Sequence, residues 1–177
     1  SYTAPHQEYT STAFLERVEI ETEKRATSIV CDGSGVMLTR TSIKSTGAGI
    51  HIRGIQSSVG LIDSTVRARR CGIVFQNGRL LAKDSYISAH WSCGIFVNEG
   101  NIKLSRTGVR AYRERAIATR LSSPHYGLAY ATPHIDIRND SEICSFPTFA
   151  LDLPTGTAQI RNSEVRSMEY TAIRLGS

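Results

Sequence analysis

Apolar and polar residues alternate along this chain in short runs, and the runs recur every twenty-odd residues. A central column reads Ile43, Val66, Ile87, Val109, Ile143 and Val165. Two residues before each stands a hydroxyl: Thr41, Ser64, Ser85, Thr107, Ser141 and Ser163. Two residues after each stands a small residue: Ser45, Ala68, Ala89, Ala111, Ser145 and Ser167. A following run gives Ile29, Ile50, Ile73, Ile95, Ile117, Leu151 and Ile173, preceded by Ser28, Gly49, Gly72, Gly94, Ala116, Ala150 and Ala172. An opening run gives Val36/Leu38, Val59/Leu61, Leu80/Ala82, Ile102/Leu104, Ile135/Ile137 and Ala158/Ile160, with Leu15, Val18, Ile20 and Thr22 as a looser first copy.

Alternation over a few residues is the period of a strand with one buried face. Three such strands with bends between them make one coil. A single coil cannot bury its inward face, but a stack of coils buries it in continuous ladders. The pattern therefore predicts an all-β, parallel β-helix (solenoid) of about seven three-strand coils. The handedness of parallel connections makes it right-handed. Coils about 4.8 Å apart give a rod of roughly 34 Å. The strict beat of hexapeptide helices and the Asn/Cys ladder of leucine-rich repeats are both missing.

Residues 1–13 are expected to form a leader or N-terminal cap, and residues 14–177 the β-helix. A segment inserted at 120–134, with Pro124 and Pro133, breaks the rhythm of one coil. It reads either as a functional loop or as a tolerated surface insertion. Gly33, Gly54, Gly78, Gly100 and Gly156 follow the third strand, where a positive φ is expected. Asp63, Asp84, Asp140 and Asn162 stand at the bend before the hydroxyl column, where Asx side chains satisfy backbone groups. The chain stops after a full coil at Gly176-Ser177. This suggests a fragment of a longer β-helix, or coil ends covered by a partner copy.

Composition adds bounds. Of 177 residues, 40% are hydrophobic and 21% charged, which is the balance of a globular chain. No apolar run is long enough to span a membrane as a helix. The net charge of +5 allows an anionic partner. Four cysteines without a CxxC pair fit neither a disulfide scaffold nor a zinc site. Cys31 falls in an inward column. Cys71 and Cys93 share one turn position on neighbouring coils, close enough to consider a disulfide. Cys144 falls in an outward column with Lys44, Arg67, Ser88, Arg110 and Arg166, so its thiol is expected to be exposed.

The small columns make the interior a solid core, so any activity must sit outside. One turn stacks Arg69-Arg70, His90-Trp91 and Tyr112-Arg113-Glu114-Arg115, continued by Phe146-Pro147 and Met168-Glu169-Tyr170. Together with Arg67, Arg110 and Arg166 from the adjacent column, this forms a basic, aromatic ridge. The candidate binding residues are Arg67, Arg69, Arg70, His90, Trp91, Arg110, Tyr112, Arg113 and Arg115. Arginines and rings in that pattern stack sugars or bases and pair with carboxylates or phosphates. The bland alternative is a solvated edge.

Asp63 and Asp84 should stack on adjacent coils at the separation retaining glycosidases use. They are the only catalytic candidates, and bend capping explains them as well. No metal site or cofactor is expected. Val30, Val74 and Phe96 face outward from the third strand, and Met37 and Leu81 from the first. They form an apolar strip that suits self-association or a partner.

The columns resemble the right-handed parallel β-helix superfamily, which includes pectate-lyase-like enzymes. "GLIDSTVRARRCGIVFQNG" and "GNIKLSRTGVRAYRERAIA" look most like coils of pertactin-type autotransporter passengers. The cysteines depart from that pattern. The resemblance implies a non-catalytic binding or scaffold protein, secreted or on a bacterial cell surface, of the virulence-associated kind. Its partner would be an anionic glycan or a protein. Two other readings stand beside it. One is a carbohydrate-active or glycan-binding β-helix of the lyase or tailspike kind. The other is an intracellular protein-interaction module in the cytoplasm, which free cysteines favour.

Overall fold

The computed structural model describes residues 11–119 and 133–176. It is a parallel β-solenoid of seven coils, each contributing one strand to each of three sheets. The first sheet stacks β1 (Thr12–Glu16), β4 (Gly35–Thr39), β7 (Ser58–Ile62), β10 (Arg79–Lys83), β13 (Asn101–Ser105), β16 (His134–Arg138) and β19 (Thr157–Arg161). The second stacks β2 (Glu19–Thr22), β5 (Ser42–Ser45), β8 (Thr65–Ala68), β11 (Tyr86–Ala89), β14 (Gly108–Ala111), β17 (Glu142–Ser145) and β20 (Glu164–Ser167). The third stacks β3 (Ile29–Asp32), β6 (Ile50–Arg53), β9 (Ile73–Phe75), β12 (Ile95–Val97), β15 (Ile117–Thr119), β18 (Leu151–Leu153) and β21 (Ile173–Leu175). Among the described residues no helix is long and apolar enough to cross a membrane.

The register follows the sequence columns. Ile43 pairs with Val66, Val66 with Ile87, Ile87 with Val109, Val109 with Ile143 and Ile143 with Val165. Leu38, Leu61, Leu104 and Ile137 on the first sheet meet Ile50, Ile73, Ile95 and Ile117 on the third in one continuous core. The first strand opens at Thr12, so Thr12 and Ala13 belong to the helix body. They pair with Gly35 and Val36. Most of the 120–134 insertion lies outside the described residues. His134 opens β16 and pairs with Asn101 and Thr157.

Four columns show why the corners hold. The hydroxyl column is buried and bridges coils. Ser64 Oγ accepts from the Thr41 backbone N–H at 3.1 Å and donates to the Ile62 carbonyl at 2.8 Å. Ser85 Oγ accepts from the Ser64 N–H, and Ser141 Oγ from the Thr107 N–H. A buried N–H that the sheet ladder misses at the bend is thus satisfied from the next coil.

The bend residue just before this column is left-handed: φ is 51° at Arg40, 49° at Asp63, 51° at Asp84 and 47° at Arg106. Asp and Asn tolerate that conformation better than most residues. The predicted positive φ after the third strand is present at Gly33, Gly54, Gly78, Gly100 and Gly156.

Gly49, Gly72 and Gly94 have a different task. A Cβ on Gly72 would lie 2.4 Å from the Gly94 carbonyl oxygen and 2.7 Å from Ile87 Cγ2. Their corner is pressed directly onto the next coil.

The cysteines correct one expectation and decide a second point. Cys144 is buried, not exposed. It lies between Arg110 and Arg166 in the column. Arg110 reaches from the preceding coil to Glu142, two residues from the thiol, and Arg166 pairs with Glu164 on the following coil; long side chains on both sides shield a short one between them. Cys71 and Cys93 are unbonded thiols. With Ala118 they form a small apolar cluster on which Val74 and Phe96 pack, so the outward strip of the third sheet is partly covered. Burial pushes both thiols up, Cys93 to about 11 and Cys71 further. Thiols in that state are poor nucleophiles.

Candidate functional site

The corner between the second and third sheets gathers most of the expected ridge. Adjacent coils bring the same turn position into register, so one ring falls beside the next. The His90 ring lies 5.9 Å from Tyr112, and Tyr112 stacks on Phe146 at 5.2 Å with 14° between planes. Trp91 meets His90 edge-on at 5.3 Å. The Arg113 guanidinium covers one Trp91 face at 3.6 Å from the ring centre, a cation–π contact. Trp91 and Tyr112 remain 42% and 41% exposed, so part of each ring meets solvent.

The flanking strands supply charge. Arg67 and Arg110 stand on either side of Ser88 in one outward column. Between them a shallow depression of about 490 Å³ is lined by Arg67, Tyr86, Ser88, His90 and Tyr112. Ser88 is short, so it forms the floor. Tyr86 lies beside Gly108, where a Cβ would stand 2.9 Å from the ring. Burial, and secondarily Tyr112, raise the Tyr86 phenol, so it stays a neutral donor at neutral pH. Tyr86 and Ser88 were missed in the sequence. The legible signal was an aromatic in a column that otherwise reads Glu19, Ser42, Thr65, Gly108, Glu142 and Glu164, beside the one glycine able to seat it.

Pairing separates the arginines. Arg110 is 3.2 Å from Glu142 and Arg166 is 3.2 Å from Glu164. Arg67, Arg69 and Arg70, all on the third coil and exposed, have no carboxylate within ion-pair distance among the described residues. Arg115 is not part of the ridge. It turns to the outer face of the third sheet, where its Nε lies 2.7 Å from Asp152 Oδ2. Arg174 grips the same carboxylate with two N–H···O bonds of 2.7 Å.

The carboxylate candidates are differently placed. Asp84 accepts from Arg106 Nε at 2.5 Å and Nη2 at 2.8 Å. That hydrogen bond holds its carboxyl below the usual range. Asp63 lies 3.7 Å from Arg40. A glycosidase acid needs its pKa raised to hold a proton near neutrality; Asp84 is shifted the other way. No group of three or more His, Cys, Asp or Glu side chains able to hold a metal converges among the described residues. Comparison with known proteins returns no relative: no family model, curated protein or solved structure matches this chain.

Proposed function

We propose that this protein is a non-catalytic binding β-helix whose ridge holds an anionic glycan. The carrying observation is the third coil, where Arg67, Arg69 and Arg70 lack carboxylate partners among the described residues and stand near the part-exposed rings of Trp91 and Tyr112. Unpaired guanidiniums supply bidentate contacts for sulfate or carboxylate groups. The rings supply flat apolar faces for the sugars that carry them. The resemblance of the columns to coils of pertactin-type passengers favours a secreted or surface-exposed setting. The Arg106-bound Asp84 argues against the lyase or glycosidase alternative.

The test is binding to immobilised acidic glycans across a salt series. The wild type should bind, with affinity falling as salt rises. Trp91→Ala and the double variant Arg69→Ala/Arg70→Ala should each weaken binding by about tenfold or more, a change of roughly 1.4 kcal/mol. Unchanged binding in both variants would remove the ridge from the account. Glycan turnover abolished by Asp84→Asn would replace binding with catalysis.

A further inference from the structure

The outer face of the first sheet carries a groove that the ridge does not use. Phe14, Met37, Gly60, Leu81 and Lys103 occupy one outward column on five successive coils. Phe14 is 77% and Leu81 46% exposed, so large apolar side chains stand in water on a sheet face. Gly60 makes the concavity. A Cβ there would lie 2.3 Å from Met37 Sδ, so only glycine lets the Met37 thioether lie across the next coil. The cleft has a volume of about 650 Å³, the size of a small-molecule site.

Its charge is confined to one end. Arg79, Asn101 and Lys103 line the cleft around Leu81. Neither Arg79 nor Lys103 has a carboxylate within ion-pair distance among the described residues. Asp136, the next residue in the Lys103 column, is already held by Arg138 through two N–H···O bonds. The result is an apolar channel of three coil steps from Phe14 to Leu81, roughly 14 Å, closed at one end by two available cations and an amide.

The geometry points to an amphiphile with one extended acyl chain and one anionic head as the occupant. The chain lies along the solenoid axis over Met37, Gly60 and Leu81, with its methyl end at Phe14. Met37 is flexible and repacks around it. The head accepts from Lys103 Nζ, the Arg79 guanidinium and the Asn101 amide. Cations at one end only fit a ligand with one charged end.

The test titrates the full chain with dansyl-undecanoate, read by its blue-shifted emission, with dodecanol as an uncharged competitor. Leu81→Asp should weaken the acid by about tenfold or more. Arg79→Glu/Lys103→Glu should weaken it comparably while leaving competition by dodecanol unchanged. Both sites face outward, and thermal melts of each variant check the fold. Binding of the soluble acid without co-sedimentation on anionic phospholipid vesicles is the expected result. Four outcomes overturn the proposal: no saturable binding, an acid affinity indifferent to the charge reversal, vesicle co-sedimentation lost in Leu81→Asp, which would make the face a membrane contact, or a ligand-free dimer by light scattering that Leu81→Asp dissociates.

Discussion

Arg113 and Arg115 are two residues apart on the same turn, and the fold uses them in opposite ways. Arg113 turns to the ridge and covers Trp91, with no carboxylate within ion-pair distance among the described residues. Arg115 turns to the third sheet and meets Asp152, whose side chain is 1% exposed. Arg174 closes the same carboxylate from the next coil, its guanidinium over the Phe149 ring at 4.6 Å. Both regions combine arginine with an aromatic, so residue type alone does not tell them apart. The countercharge does. Where a buried carboxylate is supplied, arginine ties coils together; where none is supplied, its hydrogen-bonding capacity is left for a partner.

The sharpest way to break that contrast is to remove the countercharge. Asp152→Ala leaves Arg115 and Arg174 facing each other across a buried position. Breaking a fully buried ion pair costs about 3–5 kcal/mol. These guanidiniums are 37% and 41% exposed and can turn to water. The expected loss is therefore about 3 kcal/mol in urea denaturation. The double variant Arg69→Ala/Arg70→Ala should stay within about 0.5 kcal/mol of wild type, as exposed substitutions usually do. Equal losses in the two variants would mean that the ridge arginines are structural after all.

A smaller effect ties the ridge to the core beneath it. Arg69, Arg70, Cys71 and Gly72 form one corner, and Gly72 is pressed against the Gly94 carbonyl. The fifth and sixth coils carry Ala116 and Ala150 at the equivalent position, each fully buried. The corner of the third coil therefore approaches its neighbour more closely than those of the fifth and sixth coils do. Gly72→Ala should cost about 2 kcal/mol through overpacking and weaken glycan binding by displacing Arg69 and Arg70. A variant with wild-type stability would show that the corner yields freely, and that the ridge does not depend on it.

The columns were legible because a solenoid repeats each packing problem on every coil. Six copies of a hydroxyl two residues before Val or Ile mark a bend whose N–H needs a partner, as the Ser64 and Ser141 bridges show. The ridge was legible for the same reason: turn positions stack. What could not be read was direction within a turn. Arg113 and Arg115 differ only by which side of the corner they leave, and the partner that decides it, Asp152, is 37 positions further on from Arg115. Cys144 was misread because an outward column implies exposure only when its neighbours are short. The depression at Ser88 was missed because concavity depends on three coils at once.

The smallest expected effect concerns acid. Hydrogen bonds from Arg138 and Arg106 hold the Asp136 and Asp84 carboxyls below their ordinary value of 3.8. A carboxyl depressed in the folded state contributes stability that is complete above that ordinary value. The contribution fades as pH falls through the lower folded value, because the unfolded chain takes up the proton first. Wild-type protein should therefore lose stability as pH falls below about 4. Asp136→Asn and Asp84→Asn should each lose less over the same interval, seen as a flatter urea midpoint against pH. The Arg69→Ala/Arg70→Ala variant should run parallel to wild type, since those arginines depress no carboxylate among the described residues. If it also flattened the acid limb, the ridge arginines would have carboxylate partners in solution, and they would no longer be free for a glycan.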